Sequence, residues 1–170
     1  RMITLTRETY FMTNKKIKIS WVILTWNSQN NITECLNSII DCRDISSHII
    51  TVDNGSSDTT LSITDSFMRR IKNLNDVSMQ SIRLPHNLGT SKTRNIGIKA
   101  AHKDSDFICI LDDDTIINQE AILFMADILN KNSAAGMAGP EMSGLNGEVQ
   151  LSAKPFPSLF VKLLKALPGE

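Results

Sequence analysis

The chain lacks most of what would tie it to a nucleic acid, a disulfide scaffold or a membrane interior. Lys plus Arg and Asp plus Glu both number 18, so the formal net charge is zero, and the overall basic footprint of a nucleic-acid binder is missing. Only three cysteines occur, Cys35, Cys42 and Cys109. No two form a CxxC pair and each falls in an apolar pattern, which favours reduced core thiols and a cytoplasmic setting. No apolar run approaches the ~20 residues of a membrane span, and the N-terminus has no signal-peptide hydrophobic core. These absences leave a soluble protein, or one held peripherally on the inner face of a membrane. His86 and His102 have no ligand-spaced partner and are read as structural or exposed.

What is present is a chain of 170 residues, 41% of them hydrophobic, enough to bury one core. Residues 1–14 show no clean periodicity and read as a leader or an appended remnant. From Ile17 apolar runs alternate with helical patterns. Ile17 to Leu24 predicts a strand, and Ile32, Cys35, Leu36, Ile39 and Ile40 follow at helical spacing, with Asn31 and Glu34 placed as a capping box. His48 to Val52 predicts a second strand. Leu61, Thr64, Phe67, Met68 and Ile71 mark a helix that Ser57 is placed to cap. Ser81 to Leu84 is a weaker third strand, and a helix from Ser91 to His102 leads into the run Phe107 to Leu111. A last helix beginning after Asn118 carries Ile122, Met125 and Leu129 on one face. The strand ends lie about thirty residues apart, the size of a βαβ unit, so the expected class is α/β with a largely parallel central sheet.

Asp112, Asp113 and Asp114 stand together where the run Phe107 to Leu111 ends. Two carboxylates ~5 Å apart repel by about 3 kcal/mol at an effective dielectric near 20, a cost that a divalent cation removes. Hard oxygen donors select Mg2+ or Mn2+, ions that commonly accompany phosphate-bearing substrates. Thr25-Trp26-Asn27, Asp53-Asn54-Gly55-Ser56 and His86-Asn87-Leu88-Gly89 also follow strand ends. In open α/β sheets that edge is where ligands bind, so the four clusters describe one site. Each cluster alone also reads as a turn or a helix start.

Taken in order, Ser20 to Asn27, Ile49 to Asp58, Asn87-Leu88-Gly89, Arg94 to Ile98 and the DxD-like Leu111 to Thr115 resemble the family 2 glycosyltransferases of GT-A fold. The resemblance runs from Lys18 to about Met142. It implies a three-layer, Rossmann-like sandwich over 15–142 that binds a nucleotide-diphosphate sugar, needs Mg2+ or Mn2+, and usually inverts the anomeric carbon. By the same resemblance Thr25 and Asp53 contact the nucleoside, with Trp26 and Asn27 beside the base and Arg94 near the base or phosphates. Asp112 and Asp113 would lie near the ribose and metal, with Asp114 the direct metal ligand and Asp112 a second one. The implied acceptor is a saccharide or lipid-linked glycan of a cell-envelope polysaccharide.

An inverting transfer also needs a general base at the acceptor hydroxyl. In the family this is an Asp or Glu well downstream of the DxD segment, and neither Glu141 nor Glu148 stands in such a motif. The expectation is therefore a donor-binding part of a longer enzyme, with 143–170 beginning an acceptor-side region. Gly147 to Ser158 resembles the segment that follows the donor domain in rhamnosyltransferase-like members. Leu159, Phe160, Leu163, Leu164 and Leu167 form an apolar helical stripe suited to a membrane surface, a missing region or a second copy. Two rivals belong to other classes. A HAD-type phosphatase needs DxDx[TV] near the chain start, but Ile116 fills the expected slot, and a non-catalytic nucleotide-sugar module would bind donor without turnover.

Overall fold

The computed structural model describes residues 16–144 and 148–150. The expected leader, the apolar stripe at 159–167 and most of the segment 147–158 lie outside them. The chain divides into two compact units, Arg1–Ala126 and Asp127–Glu170.

In the first unit, strands β1 (Ile17–Thr25), β2 (Ile45–Asp53), β3 (Val77–Arg83) and β4 (Phe107–Asp112) alternate with helices α1 (Ile32–Ile40), α2 (Thr60–Ile71) and α3 (Thr90–Lys99). Helix α4 (Gln119–Lys131) begins in this unit and ends in the second. The four strands form one parallel sheet in the order β3-β2-β1-β4. The chain lays strands outward from β1 to β3, then crosses back to place β4 on the other side of β1. Strand order thus reverses between β1 and β4.

Side-chain alternation explains the layering. Ile19, Trp21 and Ile23 of β1 point to one face with Ile45 and Ile49 of β2, and pack under Cys35, Leu36 and Ile39 of α1, Phe67 and Ile71 of α2 and Ile122 of α4. Val22, Ile50 and Val52 point to the other face, where Ile96 of α3 and the following Ala100 and Ala101 cover them. The result is the expected three-layer α/β sandwich. The sheet's one fully buried Trp, Trp21, is satisfied by donating its indole N–H to Ser47 Oγ at 2.9 Å. Gly97 brings α3 down onto the second face; an ideal Cβ there would lie 2.3 Å from Val22 Cγ1.

Several local expectations are corrected. β2 and β3 begin three and four residues earlier than the apolar runs suggest, at Ile45 and Val77. Asn31 makes no side-chain cap bond; the Ser28 carbonyl receives the N–H groups of Asn31 and Ile32 instead, both at 3.1 Å. Ser57 does not cap α2. Asp58 does that work, its Oδ1 accepting from the N–H and hydroxyl of Thr60. All three cysteines are free. Burial pushes the Cys42 and Cys109 thiols up to about 11, so they behave as packing groups, not thiolates.

In the second unit the end of α4 carries an ion pair from Lys131 to Asp127 at 2.7 Å. An antiparallel pair follows, β5 (Met142–Ser143) with β6 (Val149–Gln150). Among the described residues no helix is long and apolar enough to cross a membrane.

Candidate functional site

The strand register places the ends of three adjacent strands side by side. Thr25 of β1 is opposite Asp53 of β2, and Leu24 is opposite Asp112 of β4. Neighbouring strands are ~4.8 Å apart, so Thr25, Asp53 and Asp112 share one carboxyl edge, at the reversal of strand order where open α/β sheets bind ligands.

Asp53 is 2% exposed and its carboxylate is held by three donors. Oδ1 accepts from the Thr25 hydroxyl at 3.3 Å and from the Ser56 hydroxyl, and Oδ2 accepts from the Ser56 N–H at 3.0 Å. A carboxylate has about four acceptor positions, and the three internal donors leave one of them, on Oδ2, unfilled.

Trp26 and Asn27 follow β1 on a loop stitched to the loop after β2. Asn27 adopts φ 52°, a left-handed turn that Asn tolerates. Its N–H donates to Ser56 Oγ and its Oδ1 accepts from the Ser57 N–H, each at 2.9 Å. Ser28 N–H donates to Thr60 Oγ1 at 2.7 Å, and Gln29 Oε1 accepts from the Thr59 hydroxyl at 2.8 Å. With its loop fixed in this way, Trp26 is left 53% exposed, an indole face presented to solvent at the strand edge.

On the β4 side Asp112 closes a turn, its carbonyl accepting from the Thr115 N–H at 3.2 Å. Its carboxylate pairs with the guanidinium of Arg94 at 2.5 Å. Arg94 sits in the second turn of α3 and Nε is buried without a partner, so donor capacity remains. The acidic turn lies close to α1: burial first, then the charges of Asp113 and Asp114, push the Cys35 thiol up to about 12.

The structure therefore gathers the expected residues in two subsets along one edge, Thr25, Trp26, Asn27 and Asp53 beside Arg94, Asp112, Asp113 and Asp114. Among the described residues no three His, Cys, Asp or Glu side chains converge as a cation cage. Sequence reasoning placed Asn54 and Ser56 in a strand-end cluster but gave neither a bonding role: Ser56 stands three residues after a strand-end Asp that it caps, and the partners of Asn54 carry no short-range signal.

Comparison with known proteins settles the family. Residues 20–153 match the family described as Glycosyl transferase family 2. The chain belongs to that family. It is 29% identical over 133 residues to the poly(ribitol-phosphate) beta-N-acetylglucosaminyltransferase TarS of Staphylococcus aureus, covering 77% of this chain and 22% of that protein. It is 30% identical to a poly(ribitol-phosphate) beta-glucosyltransferase of Bacillus spizizenii, covering 77% and 20%. The chain thus spans about a fifth of the length of these relatives. Residues 1–349 of TarS, crystallised with UDP-GlcNAc, superpose with a TM-score of 0.56 at 26% identity, covering 77% of this chain and 42% of that one. The mannosyltransferase PcManGT of Pyrobaculum calidifontis, solved with GDP-Man and Mn2+, shares the fold, with a TM-score of 0.58 at 18% identity over 68% of this chain and 33% of its own. The glycosyltransferase fold is the GT-A type anticipated, and family membership displaces the phosphatase reading.

Proposed function

We propose that this chain is the donor-binding part of a glycosyltransferase that moves a hexose or N-acetylhexosamine from a UDP-sugar to a growing cell-envelope polymer. The observation that carries this reading is the meeting of Asp53 and Arg94–Asp112 along one sheet edge where strand order reverses. Names of the relatives supply the donor class: TarS was crystallised with UDP-GlcNAc and with UDP. The free acceptor position on Asp53 Oδ2 suits the N–H of uracil, and Trp26 offers a face for its ring. The unpaired Nε of Arg94 suits a ribose or phosphate oxygen.

The donor set fits a cation that the substrate completes. Mg2+ and Mn2+ are commonly held by one or two carboxylates plus diphosphate oxygens, and Asp112 to Asp114 provide oxygen donors without a full protein cage. Asp114 is the first choice as ligand, with Asp112 a second that also positions Arg94. When bound, the ion offsets charge on the departing diphosphate. The protein residues hold and orient the nucleotide, and Arg94 contributes a fixed positive charge beside it. Inversion at the anomeric carbon and a saccharide or polyol-phosphate acceptor belong to the same proposal.

Titration calorimetry with UDP, dTDP and GDP, each with Mn2+ and with chelator, tests it. UDP is expected to bind best and to weaken at least tenfold when Mn2+ is removed. Equal affinity under both conditions refutes the metal role, preference for dTDP returns the donor to the rhamnose class, and no binding of any diphosphate refutes the function.

A further inference from the structure

Asn54 is 2% exposed and no part of the donor reading uses it. Its backbone N–H donates to the Thr25 carbonyl at 2.8 Å, which ties the ends of β1 and β2 together. Its side chain reaches the other way, across to the segment that opens α3. Oδ1 accepts from the Leu88 N–H at 2.8 Å and from the Thr93 hydroxyl at 3.0 Å, and Nδ2 donates to Asn87 Oδ1 at 2.9 Å. The amide orientation follows from chemistry: a backbone N–H only donates, so the atom facing Leu88 is the oxygen. Asn87 Oδ1 in turn accepts from the Gly89 N–H at 2.9 Å. Gly89, at φ 80° and ψ 158°, occupies backbone space that side-chain-bearing residues avoid, so the entry to α3 depends on these bonds and not on a cap of its own.

Thr93, the residue before Arg94, is fully buried against this amide. We propose that Asn54 is a positioning residue that fixes the first turn of α3 so that Arg94 is delivered to Asp112 at the donor edge. The proposal rests on the donor reading for its consequence, not for its geometry. One side chain just after β2 sets the place of a cation whose partner is on β4. Without the amide, Leu88 N–H and Asn87 each lose a partner, and the Thr93 hydroxyl keeps only the Gly89 carbonyl of its own turn, at 2.8 Å, so nothing from β1 or β2 but packing ties the start of α3 to the sheet.

Two measurements test this. In the free protein, the buried Arg94 Nε–H is expected to exchange slowly by NMR, and Asn54→Ala should speed that exchange at least tenfold while leaving the Arg69 and Arg70 side chains unchanged. Unchanged Arg94 exchange overturns the proposal whether or not any nucleotide binds. For UDP affinity, Asn54→Ala should cost about tenfold alone but less than threefold in an Arg94→Gln background, because both changes disable one element. Additive losses overturn the proposal. Should Asn54→Ala fail to fold, Thr93→Val removes one of the three side-chain bonds, and its loss should vanish in the same background. If Arg94 exchange responds but UDP does not bind to the unaltered chain, the donor reading fails and the positioning role stands.

Discussion

Replacing Gly97 by alanine puts two opposing effects in one position. In an exposed helix the change stabilises by about 1 kcal/mol through helix propensity. Here the added methyl would lie 2.3 Å from Val22 Cγ1 and 3.1 Å from Val52 Cγ2, well inside the ~3.5 to 4.0 Å of a favourable carbon contact. Val22 is fully buried in the central strand, and a β-branched side chain has little rotamer freedom with which to yield. Overpacking of this kind costs about 1 to 3 kcal/mol, and the stiff neighbour argues for the upper part of that range. The expected net effect of Gly97→Ala is a loss of about 1 to 2 kcal/mol, a fall in Tm of roughly 2 to 8 °C for a domain of this size. Urea unfolding followed by circular dichroism measures it. Because the closest clash is with Val22 Cγ1, Val22→Ala should be less damaging in the Gly97→Ala background than in the parent. A higher unfolding midpoint for Gly97→Ala, or strict additivity of the pair, would refute the close docking of α3 on the sheet.

Two further outcomes are expected. Asp53→Ala should weaken UDP binding and also lower stability by roughly 2 to 4 kcal/mol, since Thr25 and Ser56 lose a charged acceptor; intact stability with lost binding would show that the three internal bonds carry no folding energy. Burial first, and then the neighbouring His102, lower the pKa of His48 from 6.5, so the fold favours neutral His48. Its contribution is complete above pH 6.5 and declines as pH falls from there through the lower folded value. Urea titrations between pH 8 and 5 should show stability falling toward acid, with a smaller slope in His48→Gln; identical slopes would remove His48 as the cause.

The site's outline was legible because each polar cluster directly follows an apolar run, and parallel strands with helical crossovers leave those positions on one edge. β3 was harder. Its alternation of Ser78, Gln80 and Ser81 with Val77, Met79 and Ile82 reflects an outer strand that is only partly buried, so no strong apolar run announces it. Helix starts misled for a local reason: Asn31 and Ser57 have capping chemistry, but the first amides of these helices are taken by the Ser28 carbonyl (Asn31 and Ile32) and the Asp58 carboxylate (Thr60). The role of Asn54 had no local signature, since its side-chain partners lie 33 to 39 residues further along the chain.

The placement of β1 between β2 and β4 also orders the assembly of the edge in time. Across the β1–β2 boundary Thr25 meets Asp53 over a separation of 28 residues, whereas across the β1–β4 boundary Lys18 meets Asp106 over 88. Loop-closure entropy alone makes the longer connection costlier by about 1 kcal/mol. The β1–α1–β2 half, with Thr25 against Asp53, is thus the part a nascent chain closes most cheaply. Arg94 against Asp112 completes only when the chain has returned across the sheet, which makes that ion pair a marker of the finished fold.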